Sequence, residues 1–205
     1  MTTFADLQTV IADELDRSDL GTQIDRHIRL AVRHYERRRW WFNEEQAVAS
    51  TVADQANYDL PTDLLSLDWL EITINSNRHK LNEISWARYM DEYRYSSNGG
   101  VPSDWAYSAD QLWLGVIPND VYTMTLHYTR TLSPASFSSG TSNAWTNEGE
   151  ELITARAMKM IGARVLGLGN ERVLALQALE SQALSELVSM NEQRVMTGLV
   201  RPWSG

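Results

Sequence analysis

Hydrophobic positions near the start of the chain recur at helical spacing. Phe4, Leu7, Ile11 and Leu15 share one side of a helix, and Thr3 followed three residues later by Asp6 supplies a capping-box start. A break over residues 18–21 precedes a second run, Ile24, Ile28, Ala31 and Tyr35, opened in the same manner by Thr22 and Asp25. The link is short, so the two helices are expected to pair antiparallel. The second runs into the aromatic cluster Trp40-Trp41-Phe42.

From residue 44 the period changes to alternation. Val48, Ser50 and Val52, and then Leu67, Trp69, Glu71 and Thr73 interleaved with Asp68, Leu70, Ile72 and Ile74, predict strands. Asn75-Ser76-Asn77 is a polar turn, which predicts a hairpin between residues 67–74 and 78–81, while Pro61 bars a central strand just before it. Residues 85–95 predict a short helix carrying Trp86, Tyr89, Met90 and Tyr93 on one side, stopped by Asn98-Gly99-Gly100. Three further strands, 105–108, 111–116 and 121–130, complete an antiparallel sheet built from hairpins.

The Ser-rich stretch 132–143, with Pro134, lacks the apolar residues to order itself and predicts a surface loop. Beyond it Asn147 is placed to cap a helix with Glu150 and Glu151 in the first turn and Leu152, Ala155, Met158, Ile161 and Val165 on the inner face. Gly167-Leu168-Gly169 ends that helix, and Asn170 caps a last one carrying Val173, Leu174, Leu184, Leu187, Val188 and Val195. The expected class is α+β: a helical bundle formed by N- and C-terminal helices with an inserted antiparallel β domain. The boundaries read as 1–43 for the N-terminal helices, 44–131 for the β domain with its short helix, and 132–146 for the Ser-rich crossover loop. Residues 147–196 hold the C-terminal helices, and 197–205 form a tail.

Composition narrows the chemistry. Across 205 residues, 18 Lys and Arg oppose 27 Asp and Glu for a net charge of −9, and the absence of cysteine excludes disulfides and thiolate catalysis. A hydrophobic share of 43% with 22% charged residues suits a globular core. No basic patch leads into an apolar run, and none approaches the roughly 20 residues of a bilayer span, so neither export nor membrane insertion is expected. His27 and His34 lie seven apart, not at the spacing that metal ligands use, and read as surface or interface histidines. Residues 167–172 begin like a dinucleotide fingerprint but lack its last glycine and follow a helix, which makes them a helix break. Neither a Walker loop nor a Gly-x-Ser-x-Gly elbow occurs, so no catalytic residue, metal ligand or cofactor is expected.

Two features carry candidate binding. Arg26, Arg29, Arg33 and Arg37, extended by Arg38 and Arg39, form a stripe along the second helix. It can face DNA phosphates, or it can pair with Asp6, Asp13, Glu14, Asp16 and Asp19 or with acids of a neighbouring subunit; the acidic balance of the chain favours pairing. Tryptophan is abundant, at eight residues, which marks cores and interfaces. Trp69, Trp105, Trp113 and Tyr122 could stack on a carbohydrate, although strand alternation favours core packing.

The linear order of landmarks resembles the head-to-tail adaptor proteins of tailed bacteriophages. The resemblance rests on Arg39-Trp40-Trp41-Phe42-Asn43 and on Tyr58-Asp59-Leu60-Pro61-Thr62-Asp63-Leu64-Leu65-Ser66-Leu67-Asp68. It continues through Gly100-Val101-Pro102-Ser103-Asp104-Trp105-Ala106, Gln111-Leu112-Trp113-Leu114, Pro118-Asn119 before a strand ending His127-Tyr128, and Glu151-Leu152-Ile153-Thr154-Ala155-Arg156-Ala157. It implies a non-enzymatic virion protein of the neck, assembled in the host cytoplasm as a homo-oligomeric ring, of twelve copies in the family. Such a ring sits beneath the portal protein, closes the DNA-filled head and offers the attachment surface for a tail or nozzle protein. Genomic DNA would cross its channel without sequence-specific binding, and no membrane is involved. The family's C-terminal tail commonly reaches the portal or a neighbouring subunit, which makes Leu199, Val200, Arg201, Pro202 and Trp203 the candidate contact.

Ordering the nine residues 197–205 costs about 10–18 kcal/mol. Burying Trp203 returns only about 4–6 kcal/mol. A docked tail must therefore bury Leu199, Val200 and Pro202 as well and pair its backbone with a partner. The competing expectation is a carbohydrate- or peptide-binding module of a surface or virion protein.

Overall fold

The computed structural model describes residues 1–96, 98–132 and 140–195. The chain has an α+β fold and divides into two units, one of Met1–Asn43 with Thr131–Gly205 and one of Glu44–Arg130.

In the first unit, α1 (Phe4–Glu14) begins as its sequence requires. Thr3 Oγ1 accepts from the Asp6 N–H at 3.2 Å, and Asp6 Oδ2 accepts from the Thr3 N–H at 2.8 Å, so two orphan donors are satisfied reciprocally. Phe4, Leu7 and Ile11 are buried. Helix α2 (Gly21–Tyr35) starts ahead of Thr22, which does not cap it; the residue before the first turn is Leu20, whose side chain is buried in the core. Burial of that leucine, not a polar cap, fixes the start. Ile24, Ile28, Ala31, Val32 and Tyr35 form the inner face of α2, and a 3₁₀ turn over Trp41–Asn43 follows.

The Ser-rich stretch expected as a loop lies, over residues 133–139, outside the described residues, and beyond it the cap falls on Asn143 and not on Asn147. Its Oδ1 accepts from the Thr146 N–H at 3.1 Å to start a short helix, which buries Trp145. The next helix springs from Gly149.

With α3 assigned to Trp86–Glu92 of the second unit, these two helices are α4 (Ala144–Asn147) and α5 (Glu150–Ile161). Helix α5 widens into a π turn, Gly162–Leu166, closed by Gly167 in the left-handed region at φ 60°, and α6 (Asn170–Val195) follows. The π turn shifts the helical phase, so Val165, expected on the inner face, is exposed. Leu174 is exposed as well, and the positions that pack inward on α6 are Leu176, Ala183, Leu184, Leu187 and Val188. One hydrophobic core joins α1, α2, α4, α5 and α6.

The second unit contains β1 (Glu44–Ser50), β2 (Asn57–Asp59), β3 (Leu64–Ile74), β4 (Asn77–Lys80), β5 (Asn82–Glu83), α3 and β6 (Gly99–Gly100). It ends with β7 (Asp104–Ser108), β8 (Gln111–Leu114), β9 (Ile117–Pro118) and β10 (Thr123–Arg130). Instead of one antiparallel sheet there are two four-stranded sheets, ordered β1-β10-β3-β4 and β2-β8-β7-β5, and a short β6-β9 pair. The pairs β5–β7 and β6–β9 are parallel. The β5–β7 pair follows from α3, which carries the chain back as a crossover and so sets both strands in one direction. The predicted β3–β4 hairpin is present, with Ile74 opposite Asn77. On β1 the phase is opposite to expectation: Ala47 packs inward and Val48 is exposed, as an edge strand permits. Leu70, Ile72, Trp105, Leu112, Leu114, Met124 and Leu126 make the main core of this unit.

Candidate assembly interface

Arg26, Arg29 and Arg33 of the arginine stripe lie on the side of α2 opposite Ile24, Ile28 and Tyr35, and Arg37, Arg38 and Arg39 fall in the segment past the helix end. Arg26, Arg33 and Arg37 are exposed. Arg29 is half-buried: its Nε is 3.0 Å from Asp25 Oδ2 one turn back, and its guanidinium carbon sits 5.2 Å from the Phe4 ring centroid. Among the described residues, no carboxylate reaches ion-pair distance of Arg26, Arg33 or Arg37. The acids proposed as partners are engaged locally in two cases, Asp6 by Thr3 and Asp19 by Arg17 at 2.7 Å.

The two histidines separate. His34 is exposed and meets the Tyr35 ring edge-on, in keeping with a surface position. His27, expected at a surface or interface, is buried; its Nδ1 lies 2.7 Å from the Gln23 carbonyl oxygen and therefore carries the proton it donates. Its place in the helical period, three residues after Ile24, puts it on the core face.

Of the strand aromatics, Trp105 is buried, while Trp69, Trp113 and Tyr122 are half-buried. Trp69 stacks on His127 at 4.5 Å between centroids and lies beneath Lys80 Nζ at 5.7 Å. Trp113, Trp86 and Tyr89 line a cavity of about 390 Å³ with Tyr93 and Arg94.

Two features of the helical unit escape sequence reasoning. The first is a buried charged node. Glu180 Oε1 accepts from Tyr35 Oη at 2.5 Å and from Arg156 Nη1 at 2.6 Å, and Oε2 accepts from Lys159 Nζ. Burial alone would raise the Glu180 carboxyl, but the hydrogen bonds from Lys159, Tyr35 and Arg156 outweigh it and hold the pKa below the ordinary value. The Tyr35 hydroxyl is pushed up by burial and by its bond to Glu180. The node ties α2, α5 and α6 together. Beside it, Trp40 Nε1 donates to the Tyr35 carbonyl at 2.8 Å, Asn43 Oδ1 accepts from the Trp40 N–H at 2.8 Å, and the Trp41 N–H donates to Asn191 Oδ1 at 2.9 Å. The Arg194 guanidinium covers the Trp41 ring at 4.5 Å.

The second is a groove between α1, α5 and α6, with a volume of about 390 Å³. Val10, Met158 and Leu179 are among its apolar walls, and Glu14, Glu150 and Glu151 stand along it. A neighbouring hollow of about 310 Å³ adds Glu148, Glu186 and Met190. The predicted tail contact, Leu199, Val200, Arg201, Pro202 and Trp203, lies outside the described residues.

A model of the SU10 adaptor protein family matches residues 2–202. Comparison with curated proteins gives no match. The matched range takes in both units, the Trp40–Asn43 segment and the arginine stripe. The chain therefore belongs to the SU10 adaptor protein family, a family of phage head-tail adaptors.

Proposed function

We propose that this chain is a structural component of the phage neck that assembles as a ring beneath the portal, closes the filled head and presents the surface on which the tail attaches. The observation that carries this reading is the family match across nearly the whole chain. Charge supports it: at −9 the protein is a poor partner for phosphates overall, and a channel wall that neutralises few phosphates lets a duplex slide and leave. Twelve copies, the number the resemblance implies, would surround that channel. Residues 199–203 are the proposed portal or neighbour contact, since an apolar and aromatic segment of that length can order only against a partner.

The test is to incubate the full-length chain with the portal protein of the same phage and image the product by electron microscopy, with hydrogen exchange of residues 197–205 followed before and after. A ring on the portal and slowed exchange in the tail are expected. A portal left bare in excess protein refutes the ring; unchanged fast exchange in an assembled ring refutes tail docking.

A further inference from the structure

Among the described residues of the helical unit two surfaces of opposite character are left without partners. One is the outer face of α2 and the turn that follows it, where Arg26 and Arg33 on the helix and Arg37 just past its end stand exposed and unpaired among the described residues. The other is the groove between α1, α5 and α6, to which no residue of α2 contributes. Its wall residues Val10 and Leu179 are 36% and 52% exposed, and with Met158 they leave apolar surface between the acids. Glu14, Glu150 and Glu151 border it, and among the described residues none of the three is paired with a cation; Glu150 only accepts from the Thr2 hydroxyl at 2.8 Å.

We propose that adjacent copies in the ring bind head to tail, the arginine face of α2 on one copy seating against the acidic-rimmed groove of the next. The proposal rests on the ring reading above and names its subunit interface. Arg26 and Arg33 lie on the side of α2 turned from the core, and α2 takes no part in the groove, so the two surfaces of one copy do not meet each other. Each can be satisfied by a second copy. A contact between two different patches of the same chain is heterologous, and a heterologous contact whose rotation closes generates a ring, whereas a self-complementary patch would stop at a dimer. Charge gives the direction. Copies that each carry −9 repel one another in most orientations, and the orientation that sets three arginines over three glutamates is selected from the rest. The apolar walls supply area that the charges alone do not.

The experiment uses the portal-templated ring of the full-length chain. Arg33→Glu with Arg37→Glu, and separately Glu150→Arg with Glu151→Arg, are each expected to lower ring occupancy at least tenfold at fixed protein concentration. The chain carrying all four changes is expected to recover it. All these side chains are solvent-accessible, and unchanged circular dichroism confirms folding. Because the chain has no cysteine, a second measurement is direct: Arg33→Cys protein mixed with Glu151→Cys protein should give oxidised heterotypic dimers in the ring, and either variant alone should not. A wild-type chain that leaves the portal bare removes the ring reading and this interface with it. A ring that tolerates both reversals and forms no cross-link removes the interface alone. So does a ring that tolerates both while Arg33→Glu with Arg37→Glu abolishes salt-sensitive binding to duplex DNA, which would make the stripe a phosphate face.

Discussion

In the helical unit a single core draws on both ends of the chain, from Phe4 to Leu187, and encloses a carboxylate held by an arginine, a lysine and a tyrosine. In the strand unit the buried apolar set comes from one continuous stretch, and its polar groups sit on a half-buried sheet face, as in the Trp69–His127–Glu71 cluster. The difference concerns where free energy is concentrated. Contacts of high sequence separation form only after a large loop has closed, so the helical unit depends on a few groups that hold distant segments together. The strand unit spreads its stability over many ladder pairs, the local hairpins β3–β4 and β7–β8 together with the distant pairs of β10 with β1 and β3.

The largest expected effect is therefore at Trp145. It is fully buried and meets the rings of Trp40 and Phe42 edge-on at 5.9 and 5.0 Å. Trp145→Ala deletes the piece that joins the α2 exit to α4, at a cost of about 3–5 kcal/mol. The matching change in the strand unit, Trp113→Ala, removes a half-buried ring beside an existing cavity and should cost less than half as much. Urea titration gives the totals, and peptide-resolved hydrogen exchange shows where protection is lost. Equal losses for the two variants would break the comparison.

A smaller effect, with its own pH signature, is expected at Glu180. Removing the charge leaves Arg156 and Lys159, 19% and 24% exposed, facing each other without their shared partner. Glu180→Gln should cost about 2–3 kcal/mol at neutral pH, toward the lower end for a broken buried pair because both cations keep some water. The folded pKa of Glu180 is depressed below the ordinary 4.5, so its contribution is fully present above that value and is lost as pH falls through the folded pKa. Stability curves of wild type and variant should converge on acidification. Curves that stay parallel down to about pH 3 would show that the carboxylate charge is not what the node uses.

How much of this was legible in the sequence follows the same division between local and distant. The Thr3–Asp6 capping box, the polar turn at Asn75-Ser76, the Ser85 start of α3 and the inner faces of α1 and α2 depend on residues within a few positions of each other. The cap falls on Asn143 and not on Asn147, whose place before Glu150 and Glu151 suggests one, because the start at Asn143 is the one that buries Trp145. Val165 fell out of phase because a π turn is a packing response that no periodicity encodes. The parallel β5–β7 pair needs the path of α3, and the Glu180 node needs Tyr35, 145 positions away. The groove is of the same kind: Val10 and Leu179 become neighbours only once α1 and α6 have packed on α5. The arginine stripe was visible as a pattern, but only the structure shows that Arg29 is tied to Asp25 while Arg26, Arg33 and Arg37 face outward.

The smallest expected effect has the opposite sign and lies in the strand unit. Asn75 and Ser76 join β3 to β4 with φ angles of 47° and 66°, both left-handed, which is what a two-residue hairpin turn requires to match strand twist. Asparagine accepts that region readily; serine carries a Cβ against the following carbonyl at a cost of about 1–2 kcal/mol. Ser76→Gly removes that cost and returns about 0.5–1 kcal/mol of it as extra freedom in the unfolded chain. The net expectation is a stabilisation of about 0.5 kcal/mol, seen as slower exchange in peptides covering β3 and β4 with those of α1 and α2 unchanged. Ser76→Ala keeps the Cβ and should gain nothing. The start of α1 offers no comparable improvement, because Thr3 and Asp6 already satisfy each other. If alanine stabilised the hairpin as much as glycine, backbone handedness would not be what limits it, and the contrast between a locally optimised helix start and a locally strained strand turn would fail.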